Sequence, residues 1–152
     1  MLTIKEVFTQ TAINAANEFT IPTLLTVDGR TGWNIKRVRV ALASSVGIVA
    51  AASCNILCQL NTEVIKQSFD DPDNIANLQW ATVGTAASTG AFPVVLDREW
   101  VSEAGRLTVE PNLYVHIEST GLTAAMTFNF LMEYETVKLT DMEMVRLLQG
   151  GT

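Results

Sequence analysis

The sequence predicts an all-β fold, an antiparallel β-sandwich of the single jelly-roll type with a short C-terminal helix. Three observations predict it. About eight short segments alternate apolar and polar residues with the period of a strand, turn signals separate them about every ten to fifteen residues, and helical periodicity is confined almost entirely to the end of the chain. No repeat of about 20–50 residues suggests a propeller or solenoid. An open meander is the alternative architecture.

The chain length predicts one domain covering residues 1–152. Of these residues, 48% are hydrophobic and 17% are charged. A chain of this size buries roughly two thirds of its unfolded surface, which is enough for a single core.

The first clear strand lies in NEFTIPTLLTV, residues 17–27. Its period places four apolar residues on one face, namely Phe19, Ile21, Leu25 and Val27. Pro22 cannot donate a backbone hydrogen bond and therefore indicates an edge strand or a bulge. Asp28 and Gly29 supply the turn that follows.

The next strand carries apolar residues in two phases, with Trp33 and Ile35 on one face and Val38, Val40 and Leu42 on the other. One extra residue in a strand reverses the faces of all residues beyond it. A β-bulge near Lys36 and Arg37 therefore reconciles the two sets.

The segment from Val40 to Thr62 contains no charge over 23 residues, which is long enough to span a bilayer. Several polar residues interrupt it, and no basic residue flanks its Glu63 end. We therefore predict no transmembrane span, but two buried strands joined by a small-residue turn near Ala51–Ser53.

An acidic loop, Asp70 to Asn74, divides the chain near its middle. Oxygen-rich loops bind calcium, but this one lacks the glycine and the later glutamate of an EF-hand loop. The sequence favours a solvated turn without metal, and calcium binding by this loop stays open.

The second half contains two further strands with clear periods. LYVHI directs Leu113, Val115 and Ile117 inward and Tyr114, His116 and Glu118 outward. The longest alternation then places five large residues on one face, namely Met126, Phe128, Phe130, Met132 and Tyr134.

The chain ends in a helix predicted over residues 139–150. Thr140 and Glu143 have the spacing of a capping box. An apolar stripe follows, formed by Met142, Val145 and Leu148, and Gly150 and Gly151 end the helix.

The composition argues against enzymatic chemistry. His116 is the single histidine, so a jelly-roll metal centre built from several histidines cannot form, and a catalytic triad would require a residue predicted to lie at the surface. Cys54 and Cys58, if on one strand, are about 13 Å apart and cannot form a disulfide. We therefore expect no catalytic residues, no cofactor, two buried thiols and synthesis in a reducing cytoplasm.

A cluster of basic residues is the main candidate binding feature. Four of the ten basic residues lie within ten positions, namely Arg30, Lys36, Arg37 and Arg39. Trp33 and Ile35 are their neighbours, so a basic and aromatic strip could hold nucleic acid. The formal charge of −6 and the pI near 4.7 instead favour salt bridges, within or between subunits, over phosphate binding.

Acidic residues two apart on a strand repel one another unless cations face them. The pairs Asp97 with Glu99 and Glu133 with Glu135 therefore predict basic residues opposite, on another strand or another subunit. The candidate subunit contacts are Arg37, Arg39, Glu133, Glu135 and Trp33. Arg30, Lys36, Arg37 and Arg39 are weak nucleic-acid candidates.

The stretch RLTVEPNLYVHIESTGLTAAMTFNFLMEYETVKLTDMEMVRLLQG, residues 106–150, resembles the end of single-jelly-roll capsid proteins of small environmental viruses. The order of a short strand, a turn, a long aromatic strand with paired acids and a short helix carries the resemblance. GWNIKRVRVAL is similar to an early strand of the same group. Many of those proteins begin with an Arg-rich arm that neutralises the genome, whereas this chain begins MLTIKEVFTQTAINAANEF.

The resemblance implies a virion structural protein that assembles with itself or with other virion proteins into a capsid shell, made in the host cytoplasm and located in the virion. It fits the main shell protein of a virus that condenses its genome otherwise, including one with an internal membrane, or a second virion component. The alternatives are a phage tail or decoration protein and a carbohydrate-binding β-sandwich with Trp33, Trp80 and Trp100 as stacking platforms. Indoles clustered on one exposed patch would favour carbohydrate binding, and buried indoles would favour the shell.

Overall fold

The computed structural model describes residues 1–26, 29–42, 48–50, 53–83, 88–90, 95–100, 105–122 and 124–148. Within these residues the chain forms eleven strands and one helix, namely β1 (Leu2–Thr9), β2 (Asn17–Pro22), β3 (Thr31–Leu42), β4 (Ile48–Ala50), β5 (Ser53–Asn61), β6 (Asn74–Val83), β7 (Ser88–Gly90), β8 (Val95–Glu99), β9 (Arg106–Thr108), β10 (Asn112–Thr120), β11 (Thr127–Lys138) and α1 (Asp141–Leu148).

Two antiparallel sheets make up the sandwich. The first has the strand order β1-β11-β3-β8, with β9 also paired to β3, and the second has the order β2-β10-β5-β6. The short strands β4 and β7 pair only with each other.

The pairing shows how the chain winds. β1 pairs with β11, β2 with β10, β3 with β8 and β9, and β5 with β6, as if the chain were one long folded hairpin. That hairpin is rolled so that β11 also meets β3 and β10 also meets β5. This winding is the jelly roll, and the predicted fold class is confirmed.

The core lies between the two sheets. Alternate residues of the central strands contribute it, and the largest completely buried side chains include Phe128, Phe130 and Met132 of β11 and Leu113 and Ile117 of β10. Full burial of each such side chain contributes about 1.5–3 kcal/mol. The alternation predicted for both strands is confirmed.

The predicted bulge is present at Lys36. β11 pairs with β3 in continuous register until Glu133 faces Arg37, and the next residue, Tyr134, faces Ile35. Lys36 is thus the extra residue that brings Trp33, Ile35, Val38 and Val40 to the same buried face. The two apolar phases of the sequence are one face of the folded strand.

The uncharged segment contributes to three strands, not two. Its residues form the end of β3, all of β4 and all of β5, and the turn expected near Ala51–Ser53 falls partly on residues 51 and 52, outside the described residues. In the part of the chain that the structure describes, no helix has the length and apolar character needed to cross a bilayer. Cys54 and Cys58 lie on β5 as free, buried thiols, and burial raises the pKa of Cys58 to about 12.

The sheet edges carry features that discourage strand addition. β2 is an edge strand of the second sheet and ends at Pro22, as the proline indicated. β1 is an edge strand of the first sheet and carries the adjacent charges Lys5 and Glu6 near its middle. Charged residues and proline are common protections of exposed edges.

The helix is confirmed, but its buried face differs from the prediction. The capping box is present, since the Thr140 N–H donates to Glu143 Oε2 at 2.8 Å and the Glu143 N–H donates to Thr140 Oγ1 at 3.3 Å. Met144 is buried, and it packs with Leu147 against Val109 and Leu139. Met142 and Val145 of the predicted stripe instead face solvent, 78% and 53% exposed, and the side chain of Leu148 lies outside the described part of the structure. The buried pair Met144 and Leu147 and the exposed pair Met142 and Val145 have the same spacing of three residues. Helical periodicity alone could therefore not predict which pair is buried.

Candidate subunit-contact surface

Arg37 and Arg39 of β3 lie on the outer face of the first sheet, opposite the core. Their cross-strand neighbours form two rows, Glu133–Arg37–Glu99 and Leu131–Arg39–Asp97. Arg37 therefore has a carboxylate on the strand at either side.

The strongest polar contact on this face joins Arg37 to Asp97 across the two rows. Arg37 Nε donates to Asp97 Oδ1 at 2.9 Å and Arg37 Nη2 donates to Asp97 Oδ2 at 2.5 Å. These hydrogen bonds, and then the attraction between the charges, lower the pKa of Asp97 and raise the pKa of Arg37. The prediction that the acidic pairs face basic residues is confirmed for Asp97 and Glu99, whose cross-strand neighbours Arg39 and Arg37 lie in the same chain.

The remaining basic residues lie apart from this pair. Lys36, at the bulge, places its Nζ 4.0 Å from Glu135 Oε2. Arg30 lies at the turn before β3 with a φ of 46°, and its Nε is 3.1 Å from Asp141 Oδ1 of the helix. The four basic residues predicted as one strip therefore lie in three places, the turn before β3, the bulge and the outer face of β3. Arg30, Lys36 and Arg37 each have a carboxylate partner within the chain.

The structure corrects the position of Trp33. Trp33 is 6% exposed, and its ring stacks on Tyr134 with 4.0 Å between the ring centroids. The bulge at Lys36 explains this, because it turns Trp33 inward while Arg37 and Arg39 remain outside. Trp33 is a core residue and offers no surface to another subunit or to a base.

The other two indoles also belong to the sandwich. Trp80 and Trp100 are half-buried and pack against the core, and the Arg98 guanidinium lies 5.6 Å from the Trp100 ring centroid. The three tryptophans form no exposed cluster, which is the arrangement that favours a shell protein over a carbohydrate-binding module.

His116 is also corrected, from an ordinary surface residue to a buried one. It lies on the outer face of β10 yet is only 4% exposed. Its Nδ1 contacts Glu18 of β2, and its Nε2 lies 3.1 Å from Glu118 Oε2. Because both ring nitrogens contact carboxylates, neither is open to a substrate proton.

Lys66 completes this cluster by contacting Glu118. Burial by itself raises the pKa of Glu118, but hydrogen bonds from Lys66 and His116 outweigh that effect and hold the pKa below its ordinary value. The period of two between His116 and Glu118 was visible in the sequence. Glu18 and Lys66 were missed, since only strand pairing and loop packing bring them there.

The acidic loop is organised by its own hydrogen bonds. Asp71 Oδ1 accepts from the Asp73 N–H at 2.9 Å, and Asp73 Oδ1 accepts from Thr62 Oγ1 at 3.0 Å. Among the described residues, no group of three or more His, Cys, Asp or Glu is placed to hold a metal ion. The loop is therefore a turn closed by side-chain caps.

We expect a strong chelator to leave the thermal midpoint of unfolding unchanged, because carboxylate oxygens of Asp71 and Asp73 already accept hydrogen bonds. Calorimetry with and without the chelator measures this. A fall of several degrees, reversed by calcium, would show that the loop holds a structural ion.

The outer face of the second sheet carries a polar concavity of about 430 Å³, lined by Asn55, Gln59, Gln67, Asn77 and Gln79 among others. Its amides bond to each other, since Gln59 Nε2 donates to Asn77 Oδ1 at 2.9 Å and Gln79 Nε2 donates to Asn55 Oδ1 at 3.0 Å. Phe69, on the same rim, is 80% exposed. The amides order this face and hold the loop after β5 against it.

Comparison with known proteins identifies no family for the chain. No protein-family model matches the chain, and no curated protein matches it. Among solved structures, it is similar to a chain of the structure titled turnip yellow mosaic virus, with 14% identity over 91% of this chain and 81% of that chain and a TM-score of 0.28. The fold assignment rests on the strand pairing and not on this similarity.

Proposed function

We propose that the chain is a virion structural protein, a jelly-roll subunit that assembles with itself or with other virion proteins into a capsid shell, and that it catalyses no reaction. It is made in the host cytoplasm and resides in the virion. The jelly-roll winding is the observation that carries the proposal. Viral capsid domains, lectins and cupins share this winding, so the choice among them is argued from the side chains.

The side chains argue against the other two uses of the fold. A cupin metal centre needs several histidines, whereas the single His116 is held between Glu18 and Glu118. A lectin that stacks sugars on indoles needs them exposed, whereas Trp33 is buried and the others pack against the core.

The exposed apolar side chains support assembly. Twelve large ones are exposed among the described residues, and five of them form two groups, one in the loop after β5 (Val64, Ile65 and Phe69) and one in α1 (Met142 and Val145). Grouped apolar residues on a protein surface mark contacts with other molecules. In a shell, neighbouring subunits would cover these residues, and the many weak contacts formed at once would hold the shell together.

The test is the assembly state of the purified protein. We expect sedimentation velocity and electron microscopy to show oligomers or closed particles, formed by the chain alone or with a second virion protein. Monomers only, at high concentration and with every candidate partner present, would contradict the proposal.

Carbohydrate binding retains one supporting observation, the amide-lined concavity with Phe69 at its rim. Amides and an exposed ring are groups that could hold a sugar. A glycan array with the wild-type protein and a Phe69→Ala variant decides this alternative. We expect no glycan bound by the wild type, and a signal that Phe69→Ala abolishes would favour it over the shell.

A further inference from the structure

The exposed face of α1 is an unusual place for apolar residues. Met142 and Val145 lie on the side of the helix opposite Met144, which is buried. Together with Asp141 and Arg146 they line a shallow groove of about 520 Å³. The groove has an acidic residue at one end, two apolar residues in the middle and a basic residue at the other end.

We propose that this groove binds the α1 helix of a second copy of the chain, with the two helices antiparallel about a two-fold axis. In that arrangement Met142 of one copy packs on Val145 of the other, and each copy's Asp141 faces the other copy's Arg146. The same patch serves both copies, as a two-fold contact requires. A parallel arrangement would place like charges together.

The charges near the groove favour this pairing. Arg30 lies 3.1 Å from Asp141, and both are largely exposed, so Asp141 can accept a second guanidinium. Arg146 has Glu143 near it on the same helix, three positions away and at the spacing of a modest helix pair. An intermolecular partner therefore adds to these contacts without breaking them.

The small surface area that two α1 helices can bury makes the helix pair a weak contact. A helix of eight residues is about 12 Å long and buries far less than the roughly 1,200–2,000 Å² of a stable complex. The pair is weak in isolation and gains strength only when repeated around a shell. The inference therefore rests on the proposed function for its biological effect, but the contact itself can be measured without a particle.

The first test compares two matched variants. Val145→Glu and Ile13→Glu introduce the same charge at positions that are 53% and 56% exposed, and neither should alter the thermal midpoint of the subunit. We expect Val145→Glu to lower the particle yield by about tenfold, because a repeated contact is lost throughout the shell, and Ile13→Glu to lower it far less. Equal yields from the two variants would overturn the helix pairing and leave the shell function intact.

The second test uses dissociated subunits. We expect the amide resonances of residues 141–146 to shift when the wild type is concentrated to about 1 mM, where a weak pair forms, and to stay fixed in Val145→Glu. Asp141→Lys and Arg146→Glu should each abolish the shift, and an equimolar mixture should restore it, because only the mixed pair has opposite charges at both ends. No shift in the wild type would overturn the proposal. A restored shift from subunits that form no particle under assembly conditions, with candidate virion partners present, would contradict the shell function alone.

Discussion

Replacing Trp33 with alanine should lower the free energy of unfolding by about 3–5 kcal/mol, because Trp33 is 6% exposed and stacks on Tyr134. Deleting Lys36 should cost no more than about 2 kcal/mol. Without the bulge residue, β3 pairs with β11 in uninterrupted register, and Trp33 and Ile35 stay on the core face. Chemical denaturation of the two variants and the wild type measures the differences.

Lys36→Met is the matched control, because it removes the ammonium group but keeps the residue in the strand. It should cost no more than about 2 kcal/mol, as for an ordinary point substitution outside the core. If the deletion lowered the free energy of unfolding as much as Trp33→Ala does, Trp33 would leave the core when Lys36 is removed, and Lys36 would not be the extra residue of the strand.

The bulge also shows what could be inferred from the sequence. A strand with a single period cannot bury both Trp33 and Val38, so their conflict in phase located the extra residue to within two positions. The jelly-roll class followed in the same way, from strand periods and turn signals. These features depend on neighbours along the chain, and the sequence records them directly.

Features that depend on partners distant in sequence were predicted less well. The capping residues of α1 fixed where the helix begins, but the choice between Met142 and Met144 as the buried residue depended on Val109 and Leu139. Likewise, His116 was placed on the correct face of β10, but its burial depends on Glu18 of an adjacent strand. Periodicity identifies a face and does not reveal what covers it.

In β3, one feature could be predicted from the sequence and another could not. The side-chain directions followed once the bulge was placed. The ion-pair partner of Arg37 could not be predicted, because Glu133 and Asp97 both lie on strands next to β3. Only the structure shows that the two hydrogen bonds of Arg37 go to Asp97.

Replacing both Arg37 and Arg39 with alanine should lower the particle yield by about tenfold in 0.1 M salt, because the change acts at every subunit of a shell. The substitution takes the formal charge from −6 to −8 and leaves Asp97, Glu99 and Glu133 facing one another without a guanidinium. Like charges on adjacent strands repel, and subunits with a more acidic face repel each other. Raising the salt to 1 M shortens the screening length from about 10 Å to about 3 Å and should restore much of the yield.

Light scattering in 0.1 M and 1 M salt measures the particle yield of the double variant and the wild type. The nucleic acid content of the purified particles is measured alongside. Arg98→Ala with Lys138→Ala makes the same charge change outside the two rows and should assemble nearly as the wild type does. The assembled double variant should keep its nucleic acid, because Asp97 already neutralises Arg37 and two arginines would contact only about two phosphates, for a slope of log affinity against log salt near −2. Normal assembly with loss of nucleic acid would instead identify Arg37 and Arg39 as a genome contact, since salt bridges that order the sheet should affect assembly before they affect packaging.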